Sequence, residues 1–138
     1  MDSKQPPSGD QPNFDLIRMV QQARLAHDAE AQPSNVSAVY WIEVKPKNSS
    51  REPTARAGHW LIRTTAQAVD GVWAKIKAAT EAGTLGYKSK VATVGLTTPD
   101  ERVIHVMTYD ADDSADVERV RAALSTLGFD DLSYERSA

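Results

Sequence analysis

The stretch from Gly58 to Val94 leaves this chain few ways to fold. It opens with His59-Trp-Leu-Ile-Arg, in which Trp60 and Ile62 share one face of a strand and His59, Leu61 and Arg63 share the other. Thr64 and Thr65 then offer hydroxyls for a helix start. Val69, Val72, Trp73, Ile76 and Ala79 recur at helical period, and Gly83 stands where a helix is closed by a glycine. The spacing predicts a helix over about 66–82. Tyr87 to Val94 returns to a period of two, with Lys88 and Lys90 on one face and Val91 and Thr93 on the other. A strand, a helix and a strand in this order need a sheet with the helix laid across it.

The rest of the chain extends that unit. Residues 1–12 are mostly Pro, Gly, Ser, Gln and Asp, so they are expected to form a disordered tail. Asn13 is a good N-cap, and Leu16, Ile17, Val20 and Ala23 predict a helix over about 13–29, broken at Pro33-Ser-Asn. Ser37 to Lys45 reads as a half-buried strand, with Tyr40, Ile42 and Val44 on one face and Trp41, Glu43 and Lys45 on the other. Residues 46–57 form a long, polar, basic loop, a type that is often functional or mobile. Arg102 to Tyr109 is largely apolar on both faces, which predicts a central strand. Asp110 to Ser114 holds N-cap candidates for a last helix carrying Val117, Val120 and Leu127 and closed by Gly128. Phe129 to Tyr134 is left for a short final strand. Polar loops join the strand pairs, so the expected architecture is α+β: one curved, mainly antiparallel sheet with helices packed on one face. Residues 13–138 would form a single domain.

Composition narrows the function. The formal charge of −3 over 138 residues speaks against bulk binding of nucleic acid or anionic membrane, though a local basic patch is compatible with it. The chain has no cysteine, hence no disulfide framework and no thiolate chemistry. No apolar run approaches the ~20 residues of a membrane span, and residues 1–12 lack the apolar core of a secretory signal, which makes the cytoplasm the expected compartment. His27 and Glu30 lack a third metal ligand, Asp110 to Asp113 lacks the glycine of a calcium loop, and no cofactor motif occurs.

The motifs resemble known families. Gly58, Trp60, Leu61 and Ile62, the helix with Asp70 and Trp73, and the apolar strand Val103 to Tyr109 resemble the mRNA cap-binding translation initiation factor family. Val69, Asp70, Val72, Trp73, Leu85, Gly86 and the run Lys90-Val-Ala-Thr93 resemble more closely the basophilic-leukaemia-expressed protein family. That resemblance spans about 39–134 and implies an initiation factor-like fold; His59 stands where the family usually has lysine. A fainter resemblance, to the phosphothreonine lyase effector family, rests on His59-Trp-Leu61 and Lys88-Ser-Lys90. It implies Lys90 as base and Lys88 and His59 as phosphate contacts, and it puts Leu61 at the position of the general acid.

From the residues themselves, His59, Arg63, Lys88 and Lys90 point away from the helices, with Trp41 and Glu43 on the same side. Such a cluster fits an anion or phosphate: arginine binds oxyanions bidentately, and a lysine among like charges has its pKa lowered toward that of a base. The bland reading of the same residues is a solvated sheet face. Trp60 and Trp73 read as mutual core partners, and Trp41 as either core or a stacking platform. His105 reads as a core histidine, or as a substitute general acid if it faces Lys90. Two functions therefore stay open. One is a binding domain for an anionic ligand or a protein partner; the other is a lyase acting on a phosphorylated side chain through Lys90 and His105.

Overall fold

In the computed structural model, residues 16–21, 23, 32–35, 40–49, 51–95 and 98–137 are described. The expected tail 1–12 and His27 lie outside them. The strands are β1 (Trp41–Val44), β2 (Gly58–Thr65), β3 (Lys88–Ala92), β4 (Glu101–Thr108) and β5 (Ser133–Arg136). Two helices, α1 (Val69–Glu81) and α2 (Ser114–Thr126), accompany the sheet, and a short 3-10 turn spans Pro33–Asn35. The strands form one sheet in the order β1-β3-β4-β2-β5, every pair antiparallel, so the doubly apolar β4 is central as its composition predicts. The fold is the α+β architecture expected from the sequence.

Strand alternation decides which side chains meet the helices. Ile42, Val44, Trp60, Ile62, Val91, Ile104 and Val106 pack with Val69, Trp73 and Ile76 of α1 and Val120 and Leu124 of α2 in one core. Ser89 also faces this core, and its hydroxyl is satisfied by Thr80 at 2.7 Å, which is itself bonded to the Ile76 carbonyl. α1 begins three residues later than expected, because Ala66 to Ala68 make a turn tied by the Thr65 hydroxyl, which accepts from the Ala68 amide at 3.1 Å. It ends as expected, with Gly83 at a φ of 83°. Asp113 caps α2 by accepting from the Asp116 amide. Residues 16–21 and 23 are helical, but Leu16, Ile17 and Val20 are exposed rather than buried as their spacing predicts.

Both central tryptophans are buried, yet the ring that pairs with Trp60 belongs to Tyr134 of β5, at a centroid distance of 5.0 Å. The Trp60 indole nitrogen donates to the Val117 carbonyl at 3.0 Å, whereas that of Trp73 is buried without an acceptor among the described residues. Phenylalanine at 60 gives up a buried hydrogen bond; at 73 it removes an unsatisfied donor. Trp60→Phe is therefore expected to cost about 1–2 kcal/mol more than Trp73→Phe in urea unfolding, and equal losses would contradict this packing.

The basic loop 46–57 is pinned down. The Thr54 amide donates to the Tyr109 carbonyl at 2.9 Å, and the Ala111 amide donates to the Arg56 carbonyl. Arg56 grips Asp110 through two bonds of 3.1 and 2.7 Å, which hold that carboxyl down at about 2. Arg51 lies over the Tyr109 ring at 4.0 Å and within 3.7 Å of Asp113 and Asp116. Its two arginines are thus engaged in holding the loop across the end of β4.

Candidate functional site

The face of the sheet away from α1 and α2 is set by register. Glu43 of β1 pairs with Lys90 of β3, Lys90 with His105 of β4, and His105 with Leu61 of β2. One step along the strands, Lys88 pairs with Met107, Met107 with His59, and His59 with Glu135 of β5. One step the other way lie Trp41, Ala92, Val103 and Arg63. Alternation places all these side chains on one side, because their neighbours Ile42, Trp60, Val91 and Ile104 are spent on the core.

Five of the six candidate residues come together here. The His59 and His105 rings stack in parallel, 4.0 Å apart at 6°. His105 lies 5.0 Å from Trp41, and the Lys90 ammonium sits 4.4 Å over the Trp41 ring, a cation–π geometry. Trp41 also packs against a small buried cluster of Leu61, Ala92 and Val103. Lys88 completes the set but is ion-paired with Glu43 at 3.4 Å. Arg63 is not part of the group. It is exposed, two strands across and two residues along from Lys90, which separates the two backbones by about 12 Å. His105 does not lie in the helix-side core that an apolar strand implies; it is half-buried on this face, directly across from Lys90.

Two participants were not evident from sequence. His59 is held between two side chains of the β5 edge, with Ser137 Oγ at 2.9 Å from Nδ1 and Glu135 Oε1 at 3.1 Å from Nε2. The only signal for them is period two within the short run Ser133–Ser137, too weak without knowledge that β5 pairs with β2.

The electrostatics follow from burial and from like charges. Burial, then the charge of Lys88, lowers the Lys90 pKa, and Glu43 opposes the shift. Burial lowers that of His59 against the pull of Glu135. Burial, then His59 and Lys90, holds His105 down at about 4. Both imidazoles are therefore neutral at pH 7. An unfolded chain's histidine titrates near 6.5, so between about 6.5 and 4 the unfolded state binds more protons than the folded one. Stability falls as pH falls through that window. With the His105 ring partly solvated, the loss is about 1–2 kcal/mol rather than the ~3 of the full shift. Urea midpoints at pH 7 and pH 4.5 measure it; His105→Asn should flatten the difference, and an unchanged slope would show that the ring is not responsible.

Among the described residues no three of His, Asp and Glu are grouped to hold a metal ion, and no helix is long and apolar enough to cross a membrane. A family model described as "Basophilic leukemia-expressed protein Bles03" matches residues 21–135. The chain belongs to that family. The match takes in β1 to β4, α1, α2 and β5 as far as residue 135, so the Lys90–His105 face lies within the Bles03 family region. No individual curated protein matches the chain.

Proposed function

We propose that this Bles03-family chain is a binding domain that holds a phosphate-bearing ligand on the helix-free face of its sheet. The observation that carries the proposal is the cross-strand pair Lys90–His105, with His59 stacked beneath and Trp41 alongside. An ammonium and the N–H of the His105 imidazole are suitable donors to a phosphoryl oxygen, and a partly desolvated site strengthens such bonds. The initiation factor-like frame implied by the sequence resemblance supports a ligand-holding role but not recognition of a nucleotide base. Trp60 and Trp73 are committed to the core, and the Trp41 ring is already covered by Lys90.

A lyase reading draws on the same pair, since Lys90 as base and His105 as acid are direct neighbours. Elimination needs a general acid, and the resemblance that suggests it puts Leu61, which has no proton to give, at that position. Binding without turnover is the expected behaviour. A phosphothreonine peptide should raise the melting temperature while its unphosphorylated twin does not, and mass spectrometry should find the phosphopeptide intact. Equal responses to both peptides would remove the phosphate site. Loss of phosphoric acid that disappears in Lys90→Ala would make the protein a lyase.

A further inference from the structure

Resting on the phosphate-site reading above, we propose that the face takes up a phosphate-monoester dianion together with one proton, Lys90 meeting one negative charge and a newly formed His105 imidazolium meeting the other.

The charged groups around His105 set this stoichiometry. From β1, Glu43 faces Lys88 and neutralises it at 3.4 Å. From β3, Lys90 stands directly across from His105 and has no carboxylate within ion-pairing distance among the described residues. From β2, His59 stacks on the ring, with both of its nitrogens taken, by Glu135 of β5 and by Ser137 just beyond it. Among the described residues, with Arg63 lying further along the face, Lys90 is therefore the one cation next to His105 without a paired carboxylate. A carboxylate monoanion would be matched by it. A phosphate-monoester dianion, whose second ionisation lies near pH 6, brings one charge too many for Lys90 alone.

His105 is the group able to supply the second cation. Its ring nitrogens have no hydrogen-bond partner among the described residues, so protonation breaks no existing bond. What keeps the ring neutral is burial and the neighbouring His59 and Lys90. An anion lodged between Lys90 and His105 offsets both Lys90 and the desolvation penalty, and a proton then follows it in. Glu135 favours a proton on His59, but that carboxylate also neutralises the charge, and with both nitrogens engaged by Glu135 and Ser137 the ring has no free N–H for a ligand. By linkage, an equilibrium that takes up one proton tightens up to about tenfold for each pH unit of acidification, until the ring is protonated without ligand.

Inorganic sulfate is the first probe, since it stays fully ionised and any proton uptake on binding belongs to the protein; phosphothreonine peptide is the second. Calorimetric titration at pH 6 in two buffers of different ionisation enthalpy counts the protons. Wild type should take up close to one per sulfate, with affinity rising about tenfold between pH 7 and pH 6. His105→Asn should bind weakly, without uptake and without pH dependence, while His59→Asn should keep the uptake. Imidazole nitrogen shifts of the wild-type protein, with and without sulfate, check the same point without a substitution: the His105 ring should titrate at higher pH in the presence of sulfate. Binding without proton uptake, or uptake that survives His105→Asn, overturns this inference and leaves the phosphate site standing. No response to sulfate or phosphopeptide at either pH overturns the phosphate site, and the inference with it.

Discussion

Gly86→Ala is expected to lower the melting temperature by roughly 10 °C. Gly86 lies just ahead of β3, where the chain crosses closely over β4. A Cβ built there falls 1.5 Å from the Met107 carbonyl oxygen and 2.6 Å from its carbon. These are backbone atoms of the central strand, paired on one side with Lys88 and on the other with His59, so they have nowhere to move. The alanine chain must instead lift the start of β3 from β4, at a cost of about 3 kcal/mol or more. Thermal unfolding of the two proteins is the check. Gly71→Ala is the control, because a Cβ there meets nothing within 4 Å and alanine is the better helix former, so that variant should be neutral or slightly stabilised. A Gly86→Ala protein that melts within a degree or two of wild type would mean that β3 does not enter the sheet in this register. The register of Lys88 and Lys90 would then be open as well.

Lys90→Ala is expected to weaken binding of a phosphothreonine peptide by tenfold or more, while Arg63→Ala changes it less than twofold. A charge-assisted hydrogen bond is worth about 1.5–3 kcal/mol, or ten- to a hundredfold in affinity. Lys90 is the one lysine of the pair that no carboxylate holds, whereas Lys88 must give up Glu43 to serve a ligand. The Arg63 backbone stands about 12 Å from that of Lys90, with Leu61 and Val103 between them, so its contribution to a ligand at Lys90 should be small. The comparison has a structural safeguard. Lys90 covers Trp41, so its removal exposes the ring and should alter the indole emission even without ligand. A peptide affinity that falls with Arg63→Ala and not with Lys90→Ala would move the site to the other end of the face.

The split between core and open face was legible in the residues. Alternation separates Trp60 and Ile62 from His59 and Leu61, and Val91 from Lys90, because a strand's two faces differ in solvent and so in composition. The centrality of β4 was legible too, because its residues are largely apolar on both faces, and Val103 and Met107 are buried even on the helix-free side. The strand order was not. Pairing of β3 with both β1 and β4 is a long-range choice that no local period encodes, and that choice puts His105 opposite Lys90 and leaves Arg63 out of reach. Trp60 lies against Tyr134 rather than Trp73 because β5, only four residues long, pairs beside β2. Glu135 and Ser137 entered the site by the same pairing, from a run whose alternation is too short to read.

The loop 46–57 teaches a related point. Its basic composition reads as a binding loop, but Arg51 and Arg56 point at Tyr109, Asp110, Asp113 and Asp116, partners far away in sequence. Charge in a loop is not available charge until its partners are known. Lys90 differs in that its nearest aromatic and imidazole neighbours leave the ammonium without a counter-ion among the described residues.

The most direct measurement of the account is a nitrogen–proton shift map of the protein titrated with a phosphothreonine peptide. The expected result is a contiguous set of shifts at the Trp41 indole, the His59 and His105 rings and the amides of residues 88–92, all saturating with one affinity, with Trp60 and Trp73 undisturbed. Shifts concentrated in residues 46–53, or no shifts at saturating peptide, would contradict it.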